Sequence, residues 1–236
     1  MRLDKFIAKS TDFSKQEVQQ LILNHHITVN GVEISDCSIQ VHENNIVKLR
    51  DERLIPRPFR YILLNKPTGT ICSNIDEVYP SVMNRLKQDG LEHVDQLHIA
   101  GRLDADTTGL ILVTDDGRWT FDITRPTNGC RKVYRVGLSR PFKIELMSRF
   151  EKGIQLQGEL ALTLPATIVL INDKEVLLTI SEGKFHQVKR MFAALGNRVV
   201  SLHREKIGDV TLDVEEGKWR YLTPLEINSF RKNKDC

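Results

Sequence analysis

Apolar residues recur with two different periods along this chain. Ser14-Lys15-Gln16-Glu17 is a capping-box pattern, and Val18, Leu21 and Ile22 follow it at helical spacing, which predicts a helix from about Ser14 to Asn24. Ile27 and Val29 then alternate with polar residues up to Asn30-Gly31, the dipeptide that favours a type I′ hairpin turn, and Val32 and Ile34 lead away from it. With a strand at Ile46-Val47-Lys48-Leu49, the first fifty or so residues read as two helices and a small sheet. Short apolar runs dominate further on: Tyr61 to Leu64, Leu110 to Val113, Val133 to Leu138, Ile168 to Ile171, Val176 to Ile180 and Val199 to Leu202. Fewer helices separate them, a pattern that predicts an α+β domain around a mixed, largely antiparallel sheet. The stretch Ser181 to Met191 enters one such helix, with Val188, Met191, Phe192 and Leu195 on its apolar stripe and Gly196 as its stop. Thr223-Pro224-Leu225-Glu226 is a second capping box and predicts a short last helix, followed by a frayed RKNKDC tail.

Between the two regimes, Asp51 to Arg60 carries charges and prolines at 56 and 58. This shift reads as a semi-rigid linker, dividing the chain into a module over 1–55, a linker over 56–60 and a larger domain over 61–236. No internal repeat or low-complexity segment interrupts either part. The N-terminal MRLDKFIAK has no long apolar run behind its charges, so neither a signal peptide nor a membrane span is expected, and the cytoplasm is the default location. Cysteines at 37, 72, 130 and 236 form no CxxC pair, which disfavours a zinc ribbon and a secreted disulfide framework. The net charge of +3 is compatible with a polyanionic partner without requiring one.

Candidate chemistry concentrates at Gly101 to Leu110, GRLDADTTGL, where Arg102, Asp104 and Asp106 sit among two threonines and two glycines just before an apolar strand. A tight polar loop anchored on a buried strand holds a carboxylate rigidly, as a nucleophile or general base requires. A plain turn with aspartates capping backbone amides fits as well, and residue physics does not choose between Asp104 and Asp106. Lys189 borders the apolar stripe of the helix that the stretch from Ser181 enters, where it can reach a carboxylate and keep it ionised or simply snorkel to water. Arg190 points to the opposite, solvent side. The segment through Arg204 and Lys206 is richer in basic than acidic residues and reads as the best local candidate for a phosphate-binding surface. Tyr134 shares a strand face with Val136 and Leu138, as a core ring or as a stacking surface for an extracted base. His186 and His203 lack paired metal-ligand spacing, so RNA contact or packing suits them better. In the first module, Arg2, Lys5, Lys9 and Lys15 offer a weakly basic helical face.

Asn65-Lys66-Pro67-Thr68-Gly69, GRLDADTTGL, Lys132-Val133-Tyr134 and EGKFHQVKRM from Glu182 to Met191 occur in an order that resembles the motifs of the RsuA-type pseudouridine synthases. MRLDKFIAK and the ITVNG hairpin are similar to an S4 RNA-binding domain, so the resemblance covers nearly the whole chain. It implies an S4-like module before a synthase domain that isomerises one specific uridine of 16S rRNA to pseudouridine. The implied catalytic residues are Asp104, Tyr134 against the uracil, and Lys189 where most such enzymes carry an arginine. Lysine keeps the charge but loses the bidentate fork. RNA contacts are then expected from Arg2, Lys5, Lys9, Lys15, Arg102, Arg190 and Arg204. The expected partner is 16S rRNA or a partly assembled small ribosomal subunit, acted on by a cytoplasmic monomer with no cofactor and no metal.

Two rival readings fit part of the same residues. Asp104-Ala105-Asp106-Thr107-Thr108 superficially fits the DxDxT motif of haloacid dehalogenase-type phosphatases, but that chemistry needs downstream acidic residues for magnesium, and the later chain is basic instead. A non-catalytic ribosome-associated RNA-binding protein would explain the basic segments and leave the Asp104 loop, Tyr134 and Lys189 as coincidences.

Overall fold

The structure, a computed structural model, describes residues 1–231, and the frayed tail expected at the C-terminus lies outside the described residues from 232 onward. The chain divides into two units, Met1–Pro58 and Phe59–Cys236.

In the first unit, helices α1 (Leu3–Ser10) and α2 (Lys15–Leu23) accompany a four-stranded antiparallel sheet of order β2-β1-β3-β4. Its strands are β1 (Ile27–Val29), β2 (Val32–Glu33), β3 (Val47–Leu49) and β4 (Glu52–Arg53). Both halves of the predicted capping box are present: Ser14 accepts from the Glu17 amide and the Glu17 carboxylate accepts from the Ser14 amide. A box of this kind stabilises a helix by roughly 1 kcal/mol. Asn30 and Gly31 both take positive φ, 53° and 82°, as a type I′ turn demands. Leu3 and Ile7 of α1, Val18 and Ile22 of α2, and Ile27, Val47 and Leu54 form a separate core. Arg57 is held within this unit, its guanidinium donating to Asp12 and to the carbonyls of Ala8 and Thr11.

The second unit is built on a nine-stranded mixed sheet whose main path runs β13-β5-β7-β11-β8-β10-β9. These strands are β5 (Tyr61–Lys66), β6 (His98–Ala100), β7 (Thr108–Thr114), β8 (Lys132–Leu138), β9 (Thr167–Asn172), β10 (Glu175–Ile180), β11 (Val199–Ile207), β12 (Val210–Thr211) and β13 (Trp219–Tyr221). Every pairing is antiparallel except β7 with β11. Helices α3 (Met83–Gln88), α4 (Gly117–Thr124), α5 (Met147–Lys152), α6 (Gln187–Ala194) and α7 (Pro224–Ser229) complete it.

Burial differs between the two halves of the sheet. Ile62, Leu64, Ile111 and Val113 enter one core with the rings and aliphatics of β8, α3, α5 and α6, while Tyr61, Leu63, Leu110 and Leu112 enter a second core with Trp119 and Phe230. All six residues of β5 are therefore buried, and six of the seven in β7. Strands covered on both faces read as continuous apolar runs, and strands covered on one face alternate, as β8 and β10 do.

β7 changes its partner along its length. Its C-terminal half pairs with β6, while at its start Thr108 and Gly109 pair in parallel with His203 and Arg204 of β11. The GRLDADTT loop leaves β6 and enters β7 at the place where β6 gives way to β11. Close approach there needs Gly109, at φ 105°, because a Cβ would fall 2.4 Å from the Arg204 carbonyl oxygen.

Candidate active site

The loop at residues 101–107 is held from beneath by buried cations. Lys66, fully buried at the end of β5, donates from Nζ to the carbonyls of Ala105 (3.3 Å) and Thr107 (2.9 Å), as well as to Pro67. Burial pushes its ammonium below the ordinary lysine value, while charges that include Cys72, Asp106 and Asp104 act in the other direction. Gly69 adds a backbone bond to the Ala105 carbonyl at 2.9 Å. Arg204, only 1% exposed, donates from Nε to Leu110 O (2.7 Å) and from Nη2 to Gly101 O (2.6 Å). Its Nη1 donates to the Tyr134 hydroxyl at 3.3 Å, and its guanidinium lies 5.8 Å from the centre of the Tyr134 ring. Backbone carbonyls thus take up most of the donors of both cations, which fixes the path of the loop on both sides of Asp104.

Above this support lies a cleft of about 540 Å³, lined by Asp104, Tyr134, Lys189 and Arg204 among others. Lys189 projects from α6, whose Val188, Met191 and Phe192 are buried, and donates to Asp104 Oδ2 at 3.0 Å and to Asp106 Oδ1 at 2.6 Å. The two carboxylates differ in setting. Asp104 is 30% exposed and also has His186 Nε2 3.4 Å from its Oδ1, whereas Asp106 is 70% exposed. Burial pulls the Lys189 ammonium down, but its bonds to Asp106 and Asp104 outweigh that and leave it above the usual lysine range. The bond from Lys189 holds Asp106 below the usual carboxylate range. Tyr134 is 7% exposed, packed in the core and also lining the cleft. A cleft of this kind offers a carboxylate fixed by a cation, beside an aromatic side chain, where a base and its sugar can be held against Asp104.

Three of the expected RNA contacts take other roles in the structure. Arg204 is no surface residue: β11 continues to Ile207, and alternation turns Arg204 inward against the loop carbonyls. Arg190 does not point freely into solvent; it donates to Glu159 and to the carbonyls of Phe185 and Gln157 at 2.7–3.2 Å, so three of its donors are committed within the protein. Lys9 is buried on α1 and donates to the Pro58 carbonyl at 3.2 Å. Arg2, Lys5, Lys15 and Arg102 are exposed, with Arg2 paired to Asp4 at 2.7 Å. Arg102 borders the cleft next to Leu103 and Asp104.

Contacts in the structure add to what the sequence reading gave three residues. His186 touches Asp104, Asp106 shares Lys189, and Lys66 props the loop. The signal for Lys66 was its seat at the end of an unbroken buried strand; for His186 it was proximity in sequence to Lys189. His203 is instead bonded to Thr108 at 2.8 Å, and burial lowers its imidazole. Among the described residues, no three His, Cys, Asp or Glu side chains gather as a metal site, and no helix is long and apolar enough to cross a membrane.

A family model described as RNA pseudouridylate synthase matches residues 60–194, and an S4 domain model matches residues 1–47. The ribosomal small subunit pseudouridine synthase A of Vibrio cholerae is 44% identical over 234 residues, covering 98% of this chain and 100% of that protein. The protein of the same name from Haemophilus influenzae is 44% identical over 235 residues, with 98% and 100% covered. A crystal structure of a pseudouridylate synthase is similar at 43% identity and a TM-score of 0.71, over 98% of this chain and 99% of that one.

Proposed function

Because the chain belongs to the RNA pseudouridylate synthase family, with an S4 domain ahead of the synthase domain, we propose that it isomerises one specific uridine of 16S rRNA to pseudouridine. The reaction breaks the bond from ribose C1′ to uracil N1, turns the base, joins C1′ to C5, and removes the C5 proton while N1 gains one, with no change in mass. Asp104 opens it, by adding to the sugar or base or by taking a ribose proton. Lys189, donating to Asp104 Oδ2 at 3.0 Å, holds that carboxylate in place. Tyr134 carries the uracil on its ring, with its hydroxyl near the proton that leaves C5. Arg204 and Lys66 act as positioning residues beneath the loop. The observation that carries this reading is the 3.0 Å pair between Lys189 and Asp104 in the cleft that Tyr134 lines.

The uridine must leave its stack to reach Asp104, so the surrounding surface has to hold the displaced strand. Arg102 at the cleft edge supplies exposed charge for that purpose, and Arg2, Lys5 and Lys15 of the S4 domain offer a separate RNA contact. Joining two modest RNA contacts in one chain raises their effective concentration for each other, so neither needs a large charge. The substrate is naked 16S rRNA or a partly assembled small subunit, met by a monomer in the cytoplasm. Incubating purified protein with unmodified 16S rRNA should yield one uridine isomerised without a mass change, and rRNA from cells lacking the gene should lack that pseudouridine. An unmodified product, or full pseudouridine in the deletion strain, contradicts the proposal.

A further inference from the structure

The cleft carries an aromatic pair that the isomerisation itself does not use. Phe185 is 76% exposed and belongs to neither core of its unit. Its ring stacks on His186 with centroids 3.8 Å apart and planes 22° from parallel. His186 in turn has Nε2 3.4 Å from Asp104, so carboxylate, imidazole and phenyl ring follow one another outward along the cleft wall. One face of Phe185 is backed by His186.

The backbone that presents this pair is fixed at several points. His186 sits at φ 48°, a left-handed conformation uncommon outside glycine. The Gln187 side chain accepts from the Lys184 amide at 2.8 Å, and Arg190 donates to the Phe185 carbonyl at 3.0 Å. Lys184 and Arg190 both reach Glu159, each at 3.2 Å. An exposed ring held this firmly, with one face covered by a parallel aromatic, is built as a stacking surface. Nucleobases, each with a π face, are the ligands that such a surface takes in an RNA cleft.

We propose that Phe185, backed by His186, is a stacking platform for the nucleobase next to the uridine that enters the Asp104 pocket, an assignment that rests on reading the cleft as an RNA isomerisation site. When the target uridine leaves its stack, its neighbour loses a partner, and Phe185 supplies a replacement face. The platform therefore acts on capture of the extruded state and leaves the chemical step alone.

The test compares wild type, Phe185→Leu, Phe185→Ala and Phe185→Trp on an unmodified small-subunit rRNA fragment, intact and with an abasic nucleotide on either side of the isomerised position. Phe185→Leu and Phe185→Ala should raise KM roughly 10-fold with kcat within about 2-fold of wild type, and Phe185→Trp should stay near wild type. The gap between wild type and Phe185→Leu should close on one of the two abasic RNAs, because the base that stacks is then missing. The slope of affinity against salt should not change, since no phosphate contact is lost. A wild-type KM in Phe185→Leu, a gap that persists on both abasic RNAs, or a loss confined to kcat overturns the platform. Absence of product with the wild-type protein overturns the reading of the cleft itself, and is distinguished by needing no variant.

Discussion

The underside of the GRLDADTT loop and its mouth use the same residue types for opposite ends. Beneath, Lys66 and Arg204 are buried and donate chiefly to backbone carbonyls. At the mouth, Lys189 is partly exposed and donates to the side chains of Asp104 and Asp106. A buried cation bonded to carbonyls defines geometry, because moving it would strand polar groups away from water. A half-exposed cation bonded to carboxylates defines charge, because its partners remain reachable by a substrate. Positional accuracy and reactivity are thus supplied by different residues of one site.

Removing a cation from the underside should therefore cost stability first. Arg204→Met strips the Leu110 and Gly101 carbonyls of the donors that Arg204 supplies, at roughly 1–3 kcal/mol for each. Thermal unfolding of the second unit should shift down by about 5–10 °C, with turnover falling alongside. Arg204→Lys should not restore it, since an ammonium cannot span both carbonyls as the planar fork does. An Arg204→Met protein with wild-type melting would erase the contrast between the two regions.

At the mouth the effect should fall on turnover instead. Lys189→Met keeps the aliphatic stem in α6, so melting should change little while kcat drops roughly 10- to 100-fold, or about 1.4–2.7 kcal/mol. Lys189→Arg should retain most activity. Asp106 owes its lowered pKa first to the Lys189 bond, so an NMR titration of Asp106 should move up toward the ordinary aspartate value in Lys189→Met. An Asp106 titration that stays put would show that Lys189 does not set the charge at the mouth.

The smallest effect belongs to an ion cluster remote from the loop, and it calibrates the other two. Arg220 bonds both Asp213 and Glu226, and the Arg220 bond, with help from the α7 cap, lowers Glu226 to about 2. A depressed carboxylate contributes stability above its unfolded value, near 4.5, and loses it as pH falls through its folded value. Discounted for partial exposure, the contribution is about 1 kcal/mol. Glu226→Gln should lose that much at neutral pH and flatten the acid decline between about pH 4.5 and 2. Chemical denaturation across that window is the check, and an unchanged acid decline would contradict it.

Local features of the fold were legible in the sequence because they depend on near neighbours. The Ser14 and Thr223 capping boxes, the Asn30-Gly31 turn and the end of α6 near Gly196 all stand where the pattern put them. The place of Lys189 at the edge of an apolar stripe is equally local, and it led to the contact with Asp104. Arg204 misled because its burial depends on carbonyls of Gly101 and Leu110, about a hundred residues earlier, that no short window contains. Arg190 misled for a similar reason: helical periodicity sets its direction, but Glu159 and Gln157 arrive from a separate loop. The choice between Asp104 and Asp106, open on residue physics, gains a structural asymmetry in their exposure and in the His186 contact.

That asymmetry can be tested in one measurement, the yield of pseudouridine per mole of enzyme in unmodified 16S rRNA for Asp104→Asn beside Asp106→Asn. Each substitution removes one carboxylate charge with little change in volume. The account predicts a loss of at least about 10³-fold for Asp104→Asn, with fold and RNA binding retained, and only a several-fold loss for Asp106→Asn. Substantial pseudouridine from Asp104→Asn, or an equal collapse in Asp106→Asn with binding intact, would contradict it.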